Sequence, residues 1–214
     1  MVILGLTGSI AMGKSAAATA LRRLGLPVHD ADAAVHRLLA EDPETIKGVR
    51  RAFPKTVKAG WVDRRALGAR VFGDPVALRR LESILHPKVR RAEAAFLRRQ
   101  ARRGAPMVVL DVPLLFETGA ETRCDAVLVV SAPAFIQAQR VLRRPGMTPR
   151  RLAEIRAQQM PDAEKRRRAD FVIPTGLGKA LSLRALRRAV RKMAGRRGHC
   201  WPPRRLRSGR AGHA

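Results

Sequence analysis

Residues Met1–Ala16 read MVILGLTGSIAMGKSA. The run Val2-Ile3-Leu4-Gly5-Leu6 is short and continuously apolar, as in a parallel strand buried on both faces. Gly8-x-x-x-x-Gly13-Lys14-Ser15 follows at once, and a helical stretch from Ser15 to about Leu24, stopped by Gly25, comes next. Strand, glycine loop and helix in that order are the setting in which this spacing cradles a nucleoside triphosphate. Backbone N–H groups must converge on phosphate oxygens, so the turn is tight and side chains stay out of the way, which Gly8 and Gly13 allow. Lys14 brings a cation to the β and γ phosphates, and Ser15 offers a hydroxyl to Mg2+. The dipole of the helix that opens here favours the anion. Two positions depart from the common pattern. Ala16 stands where a second hydroxyl is often found, and Ala11 where glycine is frequent, which restricts the loop if that position needs a positive φ.

A chain of 214 residues, 46% of them apolar, suffices for one α/β domain with a sizeable core and an insertion. No apolar run approaches the roughly 18 residues of a membrane span, and the start lacks the basic flank of a secretory signal. Cys124 and Cys200, far apart in the chain, are the only cysteines, so neither a disulfide framework nor a zinc site is expected, and a reducing cytoplasm fits. Lys and Arg number 44 against 17 acids, a net charge of +27. That field favours polyanions and phosphorylated small molecules. With 4% aromatic residues and no Tyr, stacking platforms for bases are scarce. A solvated basic face outweighs a dedicated nucleic-acid site, so specific nucleic-acid binding is not expected. A GTP-binding switch would need an Asn-Lys-x-Asp guanine reader, and the chain has no Asn. Nothing in the sequence specifies an oligomeric state.

LPVHDAD supplies a second short strand ending in Asp30 and Asp32. From about Ala33 to Arg103 the pattern is mainly helical, punctuated at Asp42-Pro43, Pro54, Gly60, Asp74-Pro75 and His86-Pro87. Strand character returns in PMVVLDVPLLFE and DAVLVVSAP. A helix begins near Pro133 and runs to about Arg143, DFVIP makes a last strand, and Lys179–Ala194 closes with Leu183, Leu186, Val190 and Met193 on one face. Alternating strands and helices predict an α/β fold, a three-layer arrangement with a parallel sheet covered by helices. Its nucleotide-binding core takes residues 1–36, 106–142 and 168–194. The stretch 37–105 is too long for a simple crossover and is expected to be a helical substrate-binding insert. Residues 143–167, polar and broken by Pro and Gly, are the expected lid. The tail 195–214, with six arginines and no acid, is expected to be disordered.

Several side chains carry possible chemistry, each with a plainer alternative. Asp30 and Asp32 fall at the carboxyl end of the second strand, where open α/β sheets bind ligands. One of them can accept a proton from an attacking hydroxyl, or cap the helix that begins AAVHRLL. Asp111 ends the third strand, either orienting Mg2+ or opening the turn before Pro113. His86 is a site residue or a helix-breaking loop residue. Arg140 and Arg144, one turn apart, clamp transferring phosphates or lie solvated like most arginines here.

The ordered set GLTGSIAMGKS, VHDAD, VDRRALGARVF, LESILHPKV, VPLLFE, Gln137 with Arg140 and Arg144, and AQQMPDAEKRRRADFVI resembles the dephospho-CoA kinase family over residues 1–194. These are P-loop kinases of the nucleoside-monophosphate-kinase type. The resemblance implies ATP-dependent phosphorylation of the ribose 3′-hydroxyl of dephospho-CoA, the last step of coenzyme A synthesis, with Mg2+ accompanying ATP. It makes Gly8, Ser9, Ile10, Ala11, Met12, Gly13, Lys14, Ser15 and Ala16 the ATP-binding loop and Asp32 the base. Ser15 and Asp111 become metal ligands, and Arg140 and Arg144 the lid-side arginines that act with Lys14. Asp32, His86, Leu115 and Glu117 fall at substrate-side motif positions, and the helical insert is similar to the family's CoA-binding domain. Pro174-Thr175 replaces an Asn that the family often carries near adenine.

Overall fold

The computed structural model describes residues 1–202. In chain order it contains β1 (Val2–Thr7), α1 (Lys14–Arg23), β2 (Val28–Asp30), α2 (Ala31–Glu41), α3 (Pro43–Ala52), β3 (Val57–Lys58), β4 (Trp61–Val62), α4 (Arg64–Val71) and α5 (Pro75–Arg102). Then come β5 (Met107–Asp111), β6 (Ala126–Ser131), α6 (Ala134–Leu142), α7 (Pro149–Ala157), α8 (Asp162–Arg168), β7 (Phe171–Pro174) and α9 (Lys179–Met193). Five strands form one sheet in the order β2-β5-β1-β6-β7, and every pairing is parallel. Their carboxyl ends therefore share one edge, with β1 in the middle.

Alternation along β1 assigns the two covering layers. Val2, Leu4 and Leu6 pack with Ala17, Ala18 and Leu21 of α1 and with Leu186, Ala189 and Met193 of α9, while Ile3 meets Phe96 and Leu97 of α5 on the other face. This is the layered α/β architecture expected of the alternating pattern.

The insert differs from its sequence reading in two ways. The predicted break at His86-Pro87 does not occur, because α5 continues for 28 residues through Pro87. A proline inside a helix costs about 3 kcal/mol. Here Leu81 and Leu85 are buried in the insert's core with Val49, Phe53 and Leu67, and Phe96 and Leu97 are buried under the sheet. Four such burials at about 1.5–3 kcal/mol each outweigh the proline. The 37–105 stretch thus shares its longest helix with the layer that covers the sheet. Second, the stretch read as mainly helical contains the antiparallel pair β3–β4. Ala59 and Gly60, at φ 47 and 84, form the left-handed two-residue turn that matches strand twist.

In the expected lid, Thr148 accepts a hydrogen bond from Arg151 N and Pro149 occupies the first turn, so α7 starts with a cap and a proline. The tail departs from expectation at its beginning. His199 N and Cys200 N donate to Asp125 Oδ1 at 2.6 and 3.1 Å, and Cys200 and Trp201 pack against the Ile3–Phe96 cluster. Residues 203–214 lie outside the described residues.

One buried group makes stability depend on acid. His29 on β2 is 6% exposed, its ring 5.2 Å from that of Phe96, and its Nε2 is buried without a partner among the described residues. Burial above all, with the nearby Arg37 and Arg99 charges, lowers its pKa from 6.5 to about 4, against a smaller upward pull from Asp30. The folded state then binds fewer protons than the unfolded chain between those values. Stability is fully present above pH 6.5 and falls as the pH drops toward 4, by roughly 3 kcal/mol. Urea unfolding of wild type and His29→Leu at pH 7 and pH 4.5 checks this. The wild type is expected to show the steeper loss, and equal losses would contradict it.

Candidate active site

The loop after Thr7 is shaped by close approach and by carbonyl grips. A Cβ on Gly8 would lie 2.7 Å from Val130 O on β6, so only glycine fits. Met12 N donates to Ser9 O at 3.1 Å, closing the turn. Gly13 caps α1 with φ 94, a conformation that suits glycine and leaves the first N–H groups of the helix at the loop mouth. Ala11 does adopt positive φ, 57°, at a cost of about 1 kcal/mol or more for an L-residue. The strain persists because neighbours hold it. Arg140 donates to Ala11 O at 3.3 Å and to Thr175 O at 2.6 Å, and Thr175 Oγ1 donates to Met12 O.

Lys14 reaches across to the end of β5, its Nζ 2.7 Å from Asp111 Oδ1. Asp111 is 2% exposed. Burial pushes its pKa up, the hydrogen bond and charge of Lys14 pull it down, and the carboxylates of Asp30 and Asp32 push it up further. The parallel register sets Asp30 opposite Asp111, so acids from three elements share one field at the carboxyl edge. The strand does not continue through Asp32. β2 ends at Asp30, whose carboxylate accepts from Ala33 N at 2.9 Å and caps α2. Asp32 is exposed in the first turn of α2 and makes no side-chain hydrogen bond among the described residues. The capping role falls to Asp30, and the carboxylate of Asp32 stays available. Ser15 and Ala16 are exposed on the first turn of α1.

The remaining sequence candidates scatter. Leu115 is 0% exposed, packed with Phe116 and Val129 beneath the sheet. A substrate contact through its side chain is ruled out, because the apolar run PLLF turns it inward. Glu117 accepts from Met160 N at 2.9 Å, and its Oε1 lies 2.8 Å from Nζ of Lys165, which is 0% exposed. That ion pair is one of distance, since its angles make no hydrogen bond. Glu117 therefore pins the root of the 143–167 segment. His86 is exposed on α5, and Arg144 is exposed one turn beyond Arg140; neither side chain has a hydrogen bond among the described residues. Arg140 spends donors on the carbonyls of Ala11, in the loop, and Thr175, just past β7. Thr175, Gln137 and Gln159, given no role by the sequence reading, also touch the loop, and Arg156 reaches it through Gln137. Thr175 announces itself only as a short polar residue just past the last strand.

A glycine-turned loop opening a helix, an acid-paired lysine and an exposed carboxylate lie at one sheet edge, an arrangement chemically suited to phosphoryl transfer, and comparison with known proteins narrows it. The family model described as dephospho-CoA kinase matches residues 2–177. The chain belongs to the dephospho-CoA kinase family. The dephospho-CoA kinase of Rhodospirillum rubrum is 62% identical over 188 residues, spanning 87% of this chain and 89% of that protein. That of Mesorhizobium japonicum is 52% identical over 198 residues, 92% and 100% of the two chains. Among solved structures, a Thermus thermophilus protein superposes with TM-score 0.79 at 39% identity, covering 90% and 97% of the chains. The dephospho-CoA kinase from Campylobacter jejuni gives TM-score 0.60 at 22% identity over 89% and 96%, a likeness of fold. As a dephospho-CoA kinase, the chain is a phosphotransferase that phosphorylates dephospho-CoA at the ribose 3′-hydroxyl with ATP, the final step of coenzyme A biosynthesis.

Proposed function

We propose that Asp32 receives or orients the proton of the 3′-hydroxyl while Lys14 and the Gly8–Ala16 loop hold the triphosphate of ATP. The observation that carries this is the division of labour at the sheet edge: Asp30 caps α2, Asp111 pairs with Lys14, and Asp32 alone of the three is exposed. Phosphoryl transfer depends mainly on positioning and on neutralising charge at the transferring group. Lys14 answers the charge on the β and γ oxygens. Arg140 fixes the loop from its carbonyl side, and Arg144 has a solvent-facing guanidinium for the phosphates. The 143–167 segment serves as a lid that excludes water, since an open site would hydrolyse ATP.

The residues also fit Mg2+. Ser15 presents an exposed hydroxyl at the mouth, and Asp111 is a buried carboxylate with raised proton affinity among other acids, a place that favours a cation. Among the described residues no cluster of three or more His, Cys, Asp or Glu could hold a metal ion. Mg2+ held by Ser15 and Asp111 would take its remaining positions from water and phosphate oxygens. Bound there, Mg2+ would neutralise phosphate charge. The helical insert supplies the acceptor side, with His86 on the solvent face of α5 a candidate contact. No helix among the described residues is long and apolar enough to cross a membrane, and two free thiols, Cys124 and Cys200, suit the cytoplasm.

Coupled ADP release with ATP, Mg2+ and dephospho-CoA tests the acceptor. Turnover is expected with dephospho-CoA and not with free adenosine or pantetheine. Folded protein that releases no ADP with dephospho-CoA would reject the assignment.

A further inference from the structure

The segment read as a lid is joined to the phosphate loop by a closed ring of hydrogen bonds that passes through one glutamine. Gln137 of α6 is 3% exposed. Its Nε2 donates to Ile10 O at 2.9 Å, and its Oε1 accepts from Arg156 of α7, from Nε at 3.0 Å and from Nη2. Three residues after Arg156, Gln159 closes the ring by accepting from Ile10 N at 3.0 Å. The orientation of the Gln137 amide is forced, because a guanidinium only donates and a carbonyl only accepts. Both sides of Ile10 are therefore gripped, its N–H by the lid segment and its C=O by α6. One turn on, Arg140 grips the next carbonyl, at Ala11, where the loop carries its positive φ.

We propose that Gln137 is a positioning residue for phosphoryl transfer, tying the seating of the lid to the correct shape of the phosphate loop. This rests on residues 143–167 acting as a lid. A side chain with a donor and an acceptor at one end is needed. Leucine offers neither, and glutamate would set a carboxylate against Ile10 O. With the ring intact, Arg156 docks only where Ile10 is turned as the triphosphate requires, so lid and loop order together. Without it the loop keeps Lys14 and its N–H groups, and still binds nucleotide, but the lid loses its seat.

Gln137→Leu and Arg156→Ala, singly and combined, test this through kcat, ATP affinity and trypsin cleavage. Each single variant is expected to lose about 10-fold in kcat, with Kd for a fluorescent ATP analogue within about threefold of wild type. The double variant is expected to fall no more than about threefold below the lower single, since both remove one linkage. Losses that multiply to about 100-fold would overturn the coupling. So would unchanged kcat in Arg156→Ala, whose exposed helix position keeps the test valid if Gln137→Leu folds poorly. The arginine-rich segment reports the lid separately. A non-hydrolysable ATP analogue with dephospho-CoA is expected to protect residues 143–168 from trypsin in wild type and not in Gln137→Leu. Missing protection in wild type would reject the lid itself, whereas equal protection in both proteins would reject only the role of Gln137.

Discussion

Asp32→Asn is expected to lower kcat by about 10²–10⁴-fold, the span associated with a positioned proton acceptor, while ATP affinity stays within about threefold. Asparagine keeps the shape and leaves the first turn of α2 in place, so the change removes proton affinity and one negative charge. The charge alone is worth about 0.3–1 kcal/mol of helix stability at this terminus. Asp30→Asn is the matched control. That carboxylate is committed to Ala33 N, asparagine caps about as well as aspartate, and activity is expected near wild type. Single-turnover transfer and ATP titration on both variants decide between the neighbours. Full turnover in Asp32→Asn, or collapse in Asp30→Asn, would reverse the assignment.

Lys14→Met is expected to act twice. In catalysis, losing the loop's cation should cost about 10²–10³-fold in kcat/KM for ATP, by analogy with removing one preorganised donor. In folding, it strands Asp111, 2% exposed, without its partner at 2.7 Å, a change that costs about 3–5 kcal/mol when the remaining group stays charged. Burial already raises the Asp111 pKa, and losing Lys14 removes its main opposing influence. A carboxyl raised in the folded state is favoured when protonated, so the variant should lose stability as pH rises above the ordinary carboxylate range and regain it in acid. Lys14→Met/Asp111→Asn should recover stability at pH 8 and remain inactive. Denaturant midpoints at pH 5 and pH 8 with parallel kinetics check both halves. A double variant no more stable than the single would show that the pair does not hold this edge together.

Much of this was legible in local pattern. The apolar run before Gly8 and the stop at Gly25 bound β1 and α1 to within a residue or two, because strand burial and helix termination depend on a few neighbouring residues. Elsewhere longer-range packing prevailed over local signals. Pro87 reads as a helix end, yet Leu81, Leu85, Phe96 and Leu97 bury α5 on both sides of it. Thr148-Pro149 is a good cap for α7 but was hidden in a run of arginines whose polarity suggests loop. Leu115 shares a motif with Glu117, and spacing cannot say that one turns under the sheet while the other meets Met160 and Lys165.

By itself the amino-acid sequence determined the phosphate loop, the parallel α/β layering and the kind of chemistry, since backbone sterics and periodic burial are written in short stretches. Only the tertiary structure decided which aspartate caps and which stays open, that Arg140 holds Ala11 and Thr175, and that Gln137 links Ile10 to Arg156. Those choices join residues as far apart as 129 positions, Arg140 with Ala11. They depend on strand register and on where whole helices settle, quantities that no local pattern encodes.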